Sequence, residues 1–371
     1  MRTILYLIKK EFLQIFRDKF IGKAIFGIPI IQMLILVPAI TFEIKSSEIC
    51  IIDNDMTSES RGLISKLNGS PFFRILRSTS SEKEANELLY SDKANIVLQI
   101  PAGFGKDLGT GRPAKVMASV NAINSMTAQL SWAYLSGVIR DYNLDIALAG
   151  NPSAANAMAT IGITHRYWYN EMLNYKHYML PGILGILVAA IGFVLAGLNM
   201  VKEKEAGTIE QINVTPVRKY QFVTAKMVPF LVIGLIDLAI GLAVGKLVFD
   251  IPFEGSIMLL FLCSAIFLVA ALGLALFVST MSGTQQQFMF VAFFFMIIFI
   301  LMSGIFTPLE SMPEWAQKID MANPVAYLMR INRMIMLKGS TLSDIRGNIL
   351  ALTAIAVIFT TLAINRYRKT A

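Results

Sequence analysis

Charge is scarce in this sequence: of 371 residues, 16% are Asp, Glu, Lys or Arg, while 55% are hydrophobic. Ordinary soluble domains carry about 25% charge, so this is not the composition of a water-soluble globule. Histidine is scarcer still. His165 and His177 fall in one stretch beside an apolar boundary, with no Cys or His partner at metal-ligand spacing. No metal site is expected, and neither a Ser/His/Asp nor a Cys/His catalytic constellation can be assembled. The two cysteines, Cys50 just after the first apolar block and Cys263 inside a later one, belong at different depths and are not expected to pair. A Gly-x-x-x-x-Gly-Lys-Ser/Thr phosphate loop is missing too, the nearest Gly-and-Lys cluster being Gly103 to Lys106, so the chain is not expected to bind or hydrolyse ATP. Internal repeats and low-complexity tracts are also absent.

What the chain does have is long apolar blocks. About 20 such residues cross a hydrocarbon core roughly 30 Å thick, and helices are the way an isolated segment satisfies its backbone there. Six blocks qualify, at 20–42, 178–200, 220–249, 256–281, 287–306 and 345–365. The first lacks the short apolar core and small-residue cleavage site of a removed signal peptide and reads as a retained anchor. The formal charge of +8 does not point to nucleic acid, because Lys and Arg flank the apolar blocks instead of forming one aromatic-interleaved stripe. Retention of basic residues in cytoplasmic loops explains the excess. Arg2, Lys9, Lys10, Arg17 and Lys19 precede the first block, Lys202, Lys204, Arg218 and Lys219 lie between the second and third, and Arg366, Arg368 and Lys369 close the chain. Six spans put all three groups, and both termini, in the cytoplasm.

The expected architecture is therefore an α-helical polytopic membrane protein of six transmembrane helices, carrying an inserted extracytoplasmic α/β domain and an N-terminal amphipathic interfacial helix. Residues 1–19 form the amphipathic helix, with Ile4, Leu5, Ile8, Phe12, Ile15 and Phe16 at helical spacing among Lys9, Lys10, Gln14 and Arg17. Residues 20–42 are the first span. Residues 43–176 change character, alternating β-rich runs at 49–52, 96–100 and 115–120 with helical stretches at 60–67 and 81–89, then a long helix at 125–149 broken at Gly150-Asn151-Pro152. The remaining five spans occupy 177–371. Asp250 and Glu254 fall in an outer turn. The outer loop at 307–344 fits that topology poorly, since it carries Lys318, Arg330, Arg333 and Lys338 against Glu310, Glu314 and Asp320. Part of it is expected to re-enter the bilayer as a broken helix.

The densest motif follows the second span: Glu203-Lys204-Glu205-Ala206-Gly207-Thr208-Ile209-Glu210-Gln211, then Pro216, Lys226 and Pro229. An acidic helix between two spans can dock on a soluble partner through charge-assisted contacts from Glu203, Glu205 and Glu210 and pass its motion into both spans. The alternative is a solvated loop whose acids balance nearby lysines. In the third span, Asp237 lies near mid-depth, where an ionisable group costs several kcal/mol unless paired, protonated or hydrated. It reads either as a substrate or packing contact or as a hydrogen-bonded structural acid. Lys246 falls near the opposite helical face and is a poor partner for it.

These residues resemble the signature of ABC-2 type transporter permeases, a Glu-x-Glu-x-Gly-Thr-x-Glu run followed by Pro and later by Lys-x-x-Pro. A second match is Pro308-Leu309-Glu310-Ser311-Met312-Pro313-Glu314-Trp315-Ala316-Gln317, with Asn323-Pro324 and Tyr327, similar to the family's extracytoplasmic segment before the last span. Lys10-Glu11 with Arg17-Asp18, and a Gln285-Gln286-Gln287 turn between spans four and five, are further matches, although Lys19 stands where the family often carries Pro. The large domain between spans one and two resembles the drug and lipid-like exporter subgroup.

That resemblance implies a transmembrane permease subunit of an ATP-binding-cassette exporter in the bacterial cytoplasmic (inner) membrane. It would move a drug, lipid-like or other amphipathic compound out of the cytoplasm or inner leaflet. ATP and Mg would bind the partner subunit and no cofactor this chain. The implied partners are an ATP-binding cassette subunit, a second permease as homodimer or paralogue, membrane lipid, and a periplasmic adaptor with an outer-membrane channel, but no nucleic acid. A coupling helix at 203–213, with Glu203, Glu205, Gly207, Thr208, Glu210 and Pro216, would dock the ATPase. Spans two and five would line the interface between halves. An extracytoplasmic gate or re-entrant segment at 307–340 would use Pro308, Met312, Pro313, Trp315, Asn323, Pro324 and Tyr327. The rival readings are a membrane-anchored sensor or assembly factor with an extracytoplasmic ligand-binding domain, and a secondary transporter using Asp237 for proton coupling. The sensor predicts an output domain where only 366–371 follow the last span; the secondary transporter predicts inverted repeats.

Overall fold

Apolar runs longer than a bilayer is thick become helices, and their small residues decide how closely they pack. The computed structural model describes residues 2–17, 19–39, 46–123, 125–150, 175–251 and 253–367. The chain divides into two compact units, Met1–Thr41 with Arg166–Ala371, and Phe42–His165.

The helical unit begins with α1 (Arg2–Arg17) and α2 (Lys19–Ala39). α1 turns Ile15 inward and leaves Leu5, Leu13 and Phe16 exposed, as an interfacial helix does. Among the described residues, five helices are long and apolar enough to cross a membrane: Lys176–Glu205, Lys219–Phe249, Ile257–Met281, Gln285–Met302 and Leu342–Arg366. The first comprises α7 (Tyr175–Ala190), one π-helical turn (Ile191–Leu195) and α8 (Ala196–Glu205). After it come α9 (Thr208–Asn213), α10 (Lys219–Phe249), α11 (Ile257–Met281), α12 (Gln285–Met302), α13 (Glu314–Asp320), α14 (Pro324–Lys338) and α15 (Leu342–Arg366). α2 contributes a shorter apolar helix, Ile25–Ala39. The core gathers Ile183 and Leu187 of α7, Phe230 and Ile233 of α10, Phe267 and Leu268 of α11, and Leu328 and Met329 of α14.

α14 accounts for the charge anomaly of its loop. Asn323 caps it by accepting the Val325 N–H at 3.0 Å, and Pro324 fills the first helical position, where no N–H is needed. Its buried face, with Val325, Leu328, Met329, Asn332, Ile335 and Met336, packs against α7, α11 and α15. Asn332 donates to the Pro181 carbonyl at 3.1 Å. Arg330, Arg333 and Lys338 therefore ride on a helix packed among spans, while Lys318 lies on α13. The Gln285–Gln287 stretch is not a turn: it opens α12, after Thr284 accepts the Gln287 N–H at 3.2 Å.

The second unit is a four-stranded sheet in the order β2 (Phe73–Thr79), β1 (Ser47–Asp53), β3 (Ile96–Ile100), β4 (Met117–Val120). β1 pairs in parallel with β2 and β3, and β4 runs antiparallel to β3. Alternation sends Ile49, Ile51, Ile96 and Leu98 to one face, against α3 (Ser58–Asn68), α5 (Phe104–Gly109) and Leu135 of α6 (Ser125–Gly150). Cys50, Ile52 and Val97 go to the other, against α4 (Glu82–Tyr90). Both cysteines are free and buried. α6 is fastened along its length: Ser131 and Ser47 share a hydroxyl hydrogen bond at 3.0 Å, and Tyr142 donates to the Glu59 carbonyl at 2.7 Å. Asp55 joins the loops before α3 and α5. It accepts the Thr57 hydroxyl at 2.5 Å and the Gly103 and Gly105 N–H groups at 2.7 and 2.9 Å, which together hold its carboxyl below the usual range.

Candidate coupling site

Four charged side chains from three separate helices close into a ring inside the helical unit. Lys226 of α10, 1% exposed, places its ammonium 2.7 Å from Glu11 of α1 and 2.7 Å from Glu203 of α8. Lys10 reaches the remaining oxygens of the same two carboxylates, at 2.9 Å from Glu11 and 2.5 Å from Glu203. Charges alternate around the ring and sum to zero, which offsets the cost of burying Lys226, Glu11 and Glu203, while Lys10, its side chain 42% exposed, closes the ring at its open edge. Asn199 of α8 completes the Lys226 shell, accepting a hydrogen bond at 2.6 Å. Burial pulls the Lys10 ammonium down, but the hydrogen bonds it donates to Glu203 and Glu11, with the charges of both carboxylates, outweigh it and hold the group above its ordinary value. α1 is thus attached to the bundle by an ionic lock as well as by Ile15.

The last turn of α8 makes three separate attachments with three consecutive residues. Glu203 enters the ring. Lys204 donates to the carbonyls of Ser282 at 2.8 Å and Thr280 at 3.3 Å, at the C-terminal end of α11, where a cation also meets the helix dipole. Glu205 accepts the Gln285 backbone N–H at 2.8 Å and its side-chain amide, fixing the start of α12. Displacing this turn would displace α1, α10, α11 and α12 together. Gly207, at φ 68°, then breaks the helix in a left-handed conformation that favours glycine.

Segment 203–213 is therefore two helices and not one, and its acids divide. Glu203 points inward with a side chain only 3% exposed, so it is not available to a soluble partner; the ring consumes its charge. Thr208 is also turned back, donating to the Glu203 carbonyl at 3.0 Å. Glu205 is exposed but occupied by Gln285. Glu210, Gln211, Val214 and Pro216 form the exposed part, while Ile209 is buried beneath.

The sequence pattern of the ABC-2 family transporter protein matches residues 24–365. The chain belongs to the ABC-2 transporter family. YbhR of Escherichia coli, described as a "probable multidrug ABC transporter permease", is 29% identical over 364 residues, covering 98% of this chain and 97% of YbhR. YbhS of the same organism, described in the same words, is 23% identical over 360 residues, 96% and 94% of the two chains. The inner membrane transport permease YhhJ is 26% identical over 327 residues, 87% and 85%. This ABC-2 protein is accordingly a multi-pass membrane permease of an ABC transporter, a class that works with an ATP-binding subunit.

The other residues singled out in this ABC-2 chain lie away from the ring. Pro308 leads into a short 3-10 turn, Leu309–Ser311, and Met312 ends it; Pro313 opens α13, and Trp315 is 67% exposed on it. Asn323 links three elements, its amide donating to Phe299 of α12 at 2.9 Å and to Asp320 at 2.8 Å while its oxygen caps α14. Tyr327 donates to the Met321 carbonyl at 3.2 Å. Asp237 is fully buried on α10, and neither carboxylate oxygen has a hydrogen-bond partner among the described residues. The reading of Asp237 as a hydrogen-bonded structural acid thus finds no bond among the described residues. Span two also departs from expectation. Its apolar stretch is 78% buried among neighbouring helices of its own chain, leaving little surface for an interface between halves, whereas α12 is only 17% buried.

Proposed function

We propose that this permease exports a drug-like, lipid-like or otherwise amphipathic compound from the cytoplasm or inner leaflet, driven by ATP hydrolysis on a separate subunit. α2, 21 residues and so about 32 Å long, completes six spans. The basic flanks support a topology with both termini and the α8–α9 turn in the cytoplasm, and the α/β unit and the α13–α14 segment outside. A bacterial inner-membrane location follows YhhJ, and the substrate class follows the multidrug description of YbhR and YbhS. ATP and Mg belong to the partner subunit. A second permease, identical or paralogous, completes the pathway, and a periplasmic adaptor with an outer-membrane channel would receive the substrate.

The observation that carries this reading is the triple attachment of Glu203, Lys204 and Glu205. A soluble subunit pressing on exposed α9 moves a turn ionically locked to α1 and α10 and hydrogen-bonded to the ends of α11 and α12. α9 presents Glu210 for charge-assisted docking and is followed by Val214, 86% exposed, as an apolar contact. The test is to co-express tagged chain with candidate ATP-binding subunits and compare wild type with Glu210→Arg and Val214→Asp. The retained ATPase is expected to fall about tenfold or more in each variant, since a docking contact of 1.4 kcal/mol is a factor of ten. If wild type retains no ATP-binding subunit under conditions that hold a known permease complex together, the proposal fails.

A further inference from the structure

A carboxyl group inside a span is costly unless something meets it, and Asp237 finds no partner. It lies just past the midpoint of the 31-residue α10, is fully buried, and has no hydrogen bond to either oxygen among the described residues. A second polar group is left alone at the same level. Ser264 of α11 is also fully buried, and its hydroxyl is unpaired. The level follows from the packing, since a Cβ added at Gly234 of α10 would lie 2.7 Å from Leu268 Cδ2 of α11. From that contact, one turn along α10 and one turn back along α11 both lead toward the 250–256 connection, to Asp237 and to Ser264. We infer that Asp237, with Ser264 beside it, binds the basic amine group of the compound this permease exports.

The chemistry of the carboxyl selects the ligand class. A charged amine meeting a carboxylate and a neutral amine meeting a carboxylic acid give the same ammonium–carboxylate pair, and the serine hydroxyl can accept a further N–H. An alcohol brings no charge to the site, and an anion is repelled by it. Around the two polar groups lies the apolar core that holds Ile233, Leu238 and Leu268, suited to the body of an amphiphile. The fold also supplies a way in. Leu268 is wedged between two helices, because the Cβ missing from Gly192 would lie 3.0 Å from the same Cδ2. Gly192 belongs to the π-helical turn Ile191–Leu195, and such turns are where helices bend and where functional sites recur. The ionic ring grips both helices, at Glu203 eleven residues beyond Gly192 and at Lys226 eleven residues before Asp237, about 16 Å in each case. Movement of the docking turn therefore bends span two at the π-helical turn, withdraws Gly192 from Leu268 and opens the seam beside Asp237. Naming the amine as the exported compound rests on the proposed function, whereas the amine site does not.

Binding is read on the purified full-length chain in phosphatidylcholine nanodiscs, so failure to bind an amine is distinguishable from failure to recruit an ATPase. Tritiated octylamine is the probe and tritiated octanol its uncharged match, and probe bound above empty discs is measured for wild type, Asp237→Asn and Asp237→Glu. Wild type should bind octylamine about tenfold or more tighter than octanol, tenfold being near the low end for a desolvated charge pair. Asp237→Asn should lose that preference and Asp237→Glu, which keeps the acid, should retain most of it. No preference for the amine in wild type overturns the inference without recourse to any variant. Equal octylamine binding by wild type and Asp237→Asn overturns it as well, since the amine then sits elsewhere. Should Asp237→Asn melt lower than wild type without probe, Ser264→Ala is read in its place, with a loss of about fivefold for one hydrogen bond expected and an unchanged preference overturning the site.

Discussion

Lys226 is buried among spans, where two carboxylates and an amide oxygen surround its ammonium. Removing one member of such a ring leaves the others buried and unbalanced, which typically costs about 3–5 kcal/mol. Lys226→Met is expected to destabilise the chain by that order. Adding Glu203→Gln should recover part of the loss, because Lys10 and Glu11 then remain as a neutral pair. Thermal melting of the two single variants and the double variant in detergent measures the coupling. Strictly additive losses would mean that the ring does not act as a unit. Linear sequence could not reveal this cluster. Lys10, Glu11 and Glu203 stood beside apolar runs, where a charge usually serves as a solvated anchor, Lys226 stood near the start of one, and no spacing rule joins positions some 190 or 215 residues apart.

Helix contacts in the bundle depend on glycine, and two glycines separate packing from propensity. Gly273 of α11 faces the backbone of α15: a Cβ there would lie 2.8 Å from the Thr360 nitrogen. Backbone cannot turn aside as a side-chain tip does, so Gly273→Ala should cost roughly 1–3 kcal/mol through overpacking. Gly347 of α15 has nothing within 4 Å of its would-be Cβ, and Gly347→Ala should gain up to about 1 kcal/mol from helix propensity. Melting midpoints that move in opposite directions check the pair; a neutral Gly273→Ala would show that α11 and α15 separate easily. At this scale the long helices were legible, because an apolar run above one bilayer thickness has one regular way to satisfy its backbone. Shorter elements were not. β2 alternates only weakly and leaves Arg74 and Arg77 on its surface as an edge strand, so its sequence does not announce a strand. α5 has six residues, too few to display a period. The break at Gly207 was visible as a glycine, yet only the φ of 68° separates an ended helix from a continuous one.

For the whole molecule, the uneven burial of the spans suggests where a second permease would sit. Lys176–Glu205 is enclosed by its own chain, while Gln285–Met302 and Leu342–Arg366 show mostly open surface. The open faces differ in chemistry: Phe290, Phe293 and Phe294 on α12, against Leu350, Val357 and Ile358 on α15. Lipid tails accept both, but flat aromatic rings also give large contact area with few rotamers to immobilise, and aromatics are enriched where protein meets protein. α12 also starts at the Glu205–Gln285 attachment, so an interface there would receive the movement of the docking turn directly. A cysteine at Phe290 or Phe294 should therefore cross-link between two copies on mild oxidation in membranes, while one at Leu350 should not. The native Cys50 and Cys263 are buried and give a low background. Cross-linking at Leu350 alone would move the interface to α15 and separate it from the docking turn. Cross-linking at neither position with this chain expressed alone, but at Phe294 with a paralogue present, would make the pathway a heterodimer.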